Sequence, residues 1–386
     1  MELEIMYIVQ LVLFLIFAVY FFLILKWTIL WLIYPETWLL EMDDKIIKVS
    51  VVVAVRNEAI NIKNLLEALL LQNYPSESLQ IIISNDHSND ETVKEVMDFI
   101  AKKGADSFPV FLLNSQDGDQ VGKKAALERA IKFSTGELII VTDADCRMPI
   151  NWVRSFVHTY VESNAPMITG FVRIEPLNSF FAKLQAFEFL SLSGTGAVSV
   201  INRKPLMCNG ANLAFTRQAF DKAGGYSYGK NISSGDDTFL MLKIAANDPG
   251  RVVFNKCKDG IVSTGASNSL KELFHQRIRW AAKVKFYKEG YIKYTGILIA
   301  TVNIMLVTTL VLGIAGKLAW ELVLFFWFTK AAVDFIFLVN LTFFANQWRL
   351  LLLFLPAVLL YPFYAIIGII PALLNTGYIW KERKLK

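Results

Sequence analysis

The sequence predicts an α/β domain on a mainly parallel sheet, carried between N- and C-terminal transmembrane helices, and three observations predict it. Apolar residues make up 54% of the 386 and charged residues 19%, against roughly 45–50% and about 25% in ordinary soluble domains. The excess sits in long runs near the two ends, which leaves residues 45–290 with mixed polarity. Inside that stretch, short β-branched runs alternate with segments of helical spacing, the pattern of strands and crossover helices. A mean hydropathy of +0.43 excludes a wholly soluble chain and a disordered one.

The first apolar run, Ile5 to Tyr34, exceeds the roughly 20 residues that a helix needs to cross a bilayer. Its Met-Glu-Leu-Glu start and its length fit a retained anchor and not a cleaved leader, which wants a basic start and a short core. Three further runs follow at Thr295–Ala315, Leu318–Phe344 and Leu350–Leu374. Lys330 and Asp334 fall four apart on the middle one, so they should face neighbouring helices and neutralise each other. Pro356, Pro362 and Pro371 should bend or break the last helix. Lys283, Lys285, Lys288 and Lys293 precede the first C-terminal span and place the central domain on the cytoplasmic side of a cell or inner membrane. The tail from Lys381 to Lys386 is also basic; either it is an exception to that tendency or one C-terminal segment is re-entrant.

The net charge of +5 is small, and the basic residues gather beside apolar runs instead of forming a nucleic-acid stripe, so no nucleic-acid partner is expected. Cys146, Cys208 and Cys257 have neither paired nor metal-type spacing and read as reduced thiols.

Strands are expected at Lys48–Val55, Leu79–Ser84, Pro109–Leu113 and Glu137–Thr142, with helices over Asn57–Gln72, Asp90–Lys102 and Lys123–Phe133. In such sheets ligands bind beyond the carboxyl ends of the strands. The polar residues Arg56-Asn-Glu, Asn85-Asp-His-Ser and Asp143-Ala-Asp145 fall there. Asp143 and Asp145 lie two apart at an extended strand end, so their carboxylates point the same way and repel unless a cation or a proton intervenes. Hard oxygen ligands of this kind suit Mg²⁺ or Mn²⁺; a solvated Asp-x-Asp turn would show the same spacing. Lys123 and Lys124 follow Gly122 at a helix start, which favours a phosphate or is simply an exposed basic turn. Asp236-Asp237, within Ser233-Ser-Gly-Asp-Asp-Thr, is a second acidic pair; capping accounts for one Asp, and the other is suited to a general base. Ser269 and Glu272 form a capping box ahead of Gln276-Arg-Ile-Arg-Trp280, whose Gln276, Arg279, Trp280 and Lys283 share a helix face. That helix either rests on lipid headgroups or forms a lid over a diphosphate and a sugar.

Taken in order along Val49–Trp280, these pieces resemble the membrane-bound, inverting family 2 glycosyltransferases of GT-A fold, which include cellulose, chitin and hyaluronan synthases and ceramide glucosyltransferases. The resemblance is carried by Ala54-Val-Arg-Asn-Glu58, Asn85-Asp86-His-Ser-x-Asp90-x-Thr92, Gly122-Lys123-x-x-Ala-Leu127, Asp143-x-Asp145, Cys208-Asn-Gly-Ala-Asn212, Gly235-Asp-Asp237 and Gln276-x-x-Arg-Trp280. Ala54 stands where Pro is frequent, Asn85-Asp86 where Asp-Asp is frequent, and Asp236 where Glu is common. The resemblance implies that Ala54, Arg56, Glu58 and Asp86 line the nucleotide pocket and that Lys123 neighbours the base or diphosphate. It further implies that Asp143 touches the ribose or diphosphate and that Asp145, with Asp143, holds Mg²⁺ or Mn²⁺. Asp237 would be the general base, with Asp236 beside it, and Gln276, Arg279 and Trp280 would close over the donor diphosphate and the acceptor sugar. Cys208–Gly210 would be the acceptor loop.

The expected donor is a nucleotide sugar, a UDP-sugar foremost, and the acceptor a lipid or a growing saccharide in or at the membrane, with or without a partner subunit. The expected divisions are residues 1–36 (anchor), 45–266 (transferase domain), 267–292 (interfacial helix) and 293–386 (about three spans). A processive polysaccharide synthase is the alternative within this chemistry. A non-catalytic scaffold would be marked by loss of an acidic pair, and both pairs are present. A transporter fits poorly with four spans, one intramembrane ion pair and no repeat.

Overall fold

The computed structural model describes residues 2–39, 45–103, 109–116, 120–227, 235–247, 251–281, 283, 286–373, 378–380 and 383–385. Ser233, Ser234, Lys285 and part of the basic tail therefore lie outside the described residues. In chain order the elements are α1 (Glu2–Ile33), β1 (Val49–Val55), α2 (Ile62–Leu70), β2 (Leu79–Asn85), α3 (Thr92–Lys103), β3 (Val110–Leu113), α4 (Lys123–Phe133) and β4 (Leu138–Asp143). There follow α5 (Trp152–Ser163), β5 (Met167–Thr169), β6 (Val172–Ile174), α6 (Phe180–Ile201), β7 (Leu213–Thr216), α7 (Arg217–Lys222), α8 (Asp236–Asn247), β8 (Val252–Phe254) and β9 (Val262–Thr264). The last are α9 (Leu270–Ala281), α10 (Gly290–Ile314), α11 (Trp320–Phe344), α12 (Phe354–Leu373) and a short hairpin, β10 (Tyr378–Trp380) with β11 (Arg383–Leu385).

The chain divides into two compact units. One comprises Pro35–Asn178 and Leu192–Ala266, the other Met1–Tyr34, Ser179–Ser191 and Ser267–Lys386. The first holds a seven-stranded sheet of order β3-β2-β1-β4-β7-β5-β8. β1 pairs in parallel with both β2 and β4, with Val51 opposite Ile81 on one side and Ile140 on the other. These strands are buried on both faces, which is why they read as continuous Val and Ile runs without alternation. β7 runs antiparallel to β4 and β5, so the sheet is mixed beyond β4. Ile62, Leu65, Leu66 and Leu69 of α2 and Ala126, Leu127, Ala130 and Ile131 of α4 cover it at helical spacing.

Asn212 pins the far half of this unit. Fully buried, it accepts from Trp152 Nε1 at 2.8 Å and donates from Nδ2 to the carbonyls of Phe171 and Gly260, each at 2.8 Å. Asn212, the last residue of the Cys208–Asn212 segment, thus has a structural duty of its own. Gly170 packs against it so closely that a Cβ there would lie 2.3 Å from Asn212 Nδ2. Gly170→Ala is expected to lower the thermal unfolding midpoint, by an overpacking cost of about 1–3 kcal/mol; differential scanning fluorimetry on the detergent-solubilised protein measures it.

In the second unit, α1 packs along α11 through Phe17 on Phe326 (4.5 Å between ring centroids), Trp27 on Phe337 (6.4 Å) and Trp31 on Phe344 (5.1 Å). The expected charge pair is present, with Lys330 Nζ 2.6 Å from Asp334 Oδ2. Tyr20 adds a donor to Asp334 Oδ1 at 2.7 Å, so the carboxylate is held from two helices. The expected break of the last span falls earlier than its prolines suggest. Residues Trp348–Leu353 form 3₁₀ turns, and α12 then runs uninterrupted through Pro362 and Pro371, with Pro356 in its first turn, where a missing N–H costs nothing.

Among the described residues five helices are long and apolar enough to cross a bilayer, not four. The fifth is α6, buried along much of its length. Lys183, Gln185 and Glu188 interrupt its apolar run, which is why hydropathy alone overlooks it. Its Ser179–Ser191 stretch is grouped with the apolar helices.

Candidate active site

The parallel register sets the ends of β1, β2 and β4 abreast: Ala54 lies opposite Asp143, and Val55 opposite Asn85. The loops leaving them interlock. Arg56 Nη1 donates to the carbonyls of Asp86 and His87, both at 2.9 Å. The Glu58 amide donates to Thr92 Oγ1 at 2.8 Å, and Glu58 Oε2 accepts from Asn61 at 2.9 Å. Asp90 receives the Thr92 amide at 3.0 Å, the Thr92 hydroxyl and the Ala59 amide at 3.1 Å. Burial works to raise the Asp90 carboxyl, yet these donors outweigh it and hold it below the ordinary carboxylate range. Asp90 is thereby a brace for the loop after β1.

Asp86 is 3% exposed and accepts at Oδ1 from the Gly122 amide at 2.9 Å, with His87 Nδ1 3.2 Å from the same oxygen. Gly122 sits at φ 122°, backbone that a side chain disfavours, and this turn starts α4. The Lys123 ammonium binds Asp143 Oδ1. Burial opposes its charge, but Asp143 first and then Asp237 and Asp236 lift its pKa well above the ordinary lysine range. Lys123 is therefore a fixed cation amid three carboxylates. Lys124, read from the sequence as part of a phosphate site or of an exposed basic turn, lies 2.9 Å from Asp236 Oδ1.

Asp145 accepts from Thr264 Oγ1 at 3.1 Å. Desolvation, then the charges of Asp143 and Glu58, raise its pKa against the pull of Thr264. Crowding of negative charge is what a divalent cation relieves. Among the described residues no three His, Cys, Asp or Glu side chains gather around one metal position. Asp145 and Asp143 are hard oxygen donors of the kind that would fit Mg²⁺ or Mn²⁺. Cys146 lies behind them, 2% exposed, its thiol pushed up by burial and then by Asp145 and Asp143.

The second acidic pair opens α8. Asp237 Oδ2 accepts the Gly210 amide at 2.8 Å, and its Oδ1 accepts the Thr238 amide at 2.7 Å. Burial raises the Asp236 carboxyl while Lys124 draws it down, and the balance stays above the ordinary range. One carboxylate is thus spent on an ion pair and the other is presented by two amides.

Ala54, Arg56, Glu58, Asp86, Lys123, Asp143, Asp145, Asp236 and Asp237 all belong to the strand-bearing unit, whereas Gln276, Arg279 and Trp280 belong to the apolar-helix unit on α9. The box at the α9 start forms, with the Glu272 amide donating to Ser269 Oγ at 3.2 Å, although the Glu272 carboxylate reaches back to the Asn268 amide at 2.9 Å. On α9 a residue inside the motif organises its neighbours. Arg277 forks onto Glu188 (Nε–Oε1 3.0 Å, Nη2–Oε2 2.7 Å), donates to Gln276 Oε1 and lies 4.5 Å from the Trp280 ring centre. Phe189 is 6.1 Å from the same indole. The pattern Gln-x-x-Arg-Trp directs attention to Arg279 and passes over Arg277; its only sequence signal is a second arginine two residues earlier.

Residues 50–224 match the model of Glycosyl transferase family 2, and residues 138–376 that of Glycosyl transferase family group 2. The chain is 26% identical over 212 residues to the Probable glycosyltransferase YdaM of Bacillus subtilis (strain 168), covering 51% of this chain and 46% of that one. It is 25% identical over 273 residues to the Beta-monoglucosyldiacylglycerol synthase of Trichormus variabilis, covering 67% and 52%. The chain spans about half the length of the curated relatives it matches. Among solved structures, the Mannosyltransferase PcManGT from Pyrobaculum calidifontis, in complex with GDP-Man and Mn²⁺, shares the fold with a TM-score of 0.58 at 18% identity, covering 92% of this chain and 96% of that one. With its model matched over more than half the chain, on a mainly parallel sheet of GT-A type, the protein belongs to Glycosyl transferase family group 2.

Proposed function

We propose that this glycosyltransferase moves a sugar from a nucleoside-diphosphate sugar to a hydroxyl of a lipid or saccharide acceptor, with inversion, at a membrane its apolar helices cross more than once. The observation that carries the reading is Asp237, an acidic side chain oriented by the Gly210 and Thr238 amides beside the Lys123–Asp143 pair. Both of its oxygens keep a lone pair for a third partner. In the reaction Asp237 takes the acceptor hydroxyl proton as that oxygen bonds to the anomeric carbon. The bond from that carbon to the diphosphate oxygen breaks at the same time, and the nucleoside diphosphate leaves with the electron pair. A single displacement turns an α-linked donor into a β-linked product. Ala54, Arg56, Glu58 and Asp86 line the nucleotide pocket, and Lys123 stands by to offset the charge of the departing diphosphate. A Mg²⁺ or Mn²⁺ ion held by Asp145 and Asp143 would supply Lewis-acid stabilisation of that leaving group.

A diacylglycerol-type lipid is the first acceptor to try, because a relative matched over 67% of the chain is a monoglucosyldiacylglycerol synthase. The donor base is left to experiment, with UDP- and GDP-sugars tested side by side. Membranes containing the protein are incubated with each nucleotide sugar and candidate lipids, and diphosphate release and labelled glycolipid are followed. Donor-dependent release with a labelled product is expected; no release from any nucleotide sugar overturns the reading.

The resemblance assigns Gln276, Arg279 and Trp280 to donor diphosphate and acceptor. Lys lacks the forked donors of Arg, and Leu offers no ring face to a sugar. Arg279→Lys and Trp280→Leu should each cut turnover tenfold or more, about 1.4 kcal/mol, with membrane insertion unchanged. If both variants are active and inserted, α9 returns to the role of a membrane rest.

A further inference from the structure

Three consecutive residues at the start of α4 reach three acidic residues from three separate elements. The Gly122 amide binds Asp86 after β2, Lys123 binds Asp143 at the end of β4, and Lys124 binds Asp236 at the start of α8. The third of these contacts has no part in the reaction proposed above. Its side chains are 19% and 11% exposed, so neither ion is free to drift into solvent. We infer that Lys124 is a positioning residue for the transfer step: by fixing Asp236 it sets the first turn of α8, and so holds the neighbouring Asp237 where Gly210 and the acceptor hydroxyl meet it. The inference rests on the reading of Asp237 as the base.

Asp236 and Asp237 are adjacent in one helical turn, so they point in different directions and cannot both be set by one contact. Asp237 is anchored by two backbone amides, one of them from its own turn and therefore unable to orient the turn itself. Gly210 is one anchor from outside the turn, and α4 is a second, its start being tied to β2 through Gly122 and to β4 through Lys123. Without Lys124 the Asp236 carboxylate would be left buried beside Asp237. Without that tie to α4 the first turn of α8 loses one of the contacts that fix its rotation. Asp237 would then be held less firmly at Gly210.

The test compares Lys124→Met, Lys124→Arg and the neutral pair Lys124→Gln with Asp236→Asn in membranes. For Lys124→Met the expected result is a kcat at least about tenfold lower with the donor KM within about threefold of the parent. Titration of UDP and of GDP by calorimetry should be equally unchanged. Lys124→Arg, which keeps the charge, should restore kcat to within about threefold. If Lys124→Met does not accumulate, the neutral pair strands no charge and carries the same expectation of lowered kcat with unchanged diphosphate binding. Parental kcat in Lys124→Met or the neutral pair, a loss seen in KM or diphosphate binding, or an Arg variant as slow as the Met variant would each overturn the inference. Asp237→Asn separates the two readings. If it is active, the base assignment fails and this inference with it; if it is inactive while Lys124→Met is active, this inference alone fails.

Discussion

Asp237→Asn should lower turnover at least about a hundredfold, since general-base catalysis contributes roughly 10²–10⁴, while UDP or GDP binds as to the parent. The substitution is less neutral than its shape suggests. The carboxylate accepts one amide on each oxygen, from Gly210 and from Thr238, and a carboxamide has a single accepting oxygen. One of the two backbone N–H groups therefore loses its partner, at a cost of about 1–3 kcal/mol in stability if it stays buried. Thermal unfolding should register that cost as a modest drop. The kinetic loss should far exceed it and persist where the variant is fully folded. Asp236→Asn is the informative contrast: if it is the inactive variant and Asp237→Asn is active, the roles of the pair are reversed.

Asp145→Ala, and separately an excess of chelator over the parent protein, should each abolish transfer. The physical reason is the local accumulation of charge. Asp143 and Glu58 both raise the Asp145 carboxyl, so these groups repel in the free enzyme, and a cation with the donor diphosphate resolves the repulsion. Two consequences can be read without turnover. In chelator, Asp145→Ala should unfold at the parent temperature or above it, because removing one of several like charges relieves strain. With nucleoside diphosphate present, the Mn²⁺ electron paramagnetic resonance signal should broaden on mixing with the parent and not with Asp145→Ala. Full activity of the parent in chelator would sink the metal reading.

What the sequence disclosed depended on how local the signal was. β1, β2 and β4 are continuous apolar runs bounded by polar turns, and α4 carries an apolar stripe at helical spacing, so both appear within windows of a few residues. The strand-end rule then put Asp86, Asp143 and Asp145 at one edge; in the structure the ends of β1, β2 and β4 lie abreast and Lys123 reaches Asp143. β5, β7 and β8 are three or four residues long and pair across wide gaps, Met167 with Phe215 and with Val252, so no window contains their evidence. The same holds for Lys124 with Asp236 and for Arg277 with Glu188: an ion pair between distant segments leaves no periodicity. Asn212 was visible as part of a motif, but its three buried hydrogen bonds belong to the fold.

α6 bears on how this enzyme can be handled as a material. Its first part, to Ser191, is grouped with the apolar helices, while Leu192 onward is grouped with the strands. Trimming the chain at Tyr34 and Ala266 would keep every strand of the seven-stranded sheet and look like a route to a water-soluble transferase. It would also strip Gln185 of Ser267, Phe187 of Phe354, Glu188 of Arg277 and Phe189 of Trp280. The fragment would carry two bare rings and an orphaned carboxylate on a single helical stretch, and it should self-associate or demand detergent despite lacking every terminal span. A soluble version would need that stretch redesigned with polar side chains at 187 and 189, a change inside the chain that no choice of endpoints can replace.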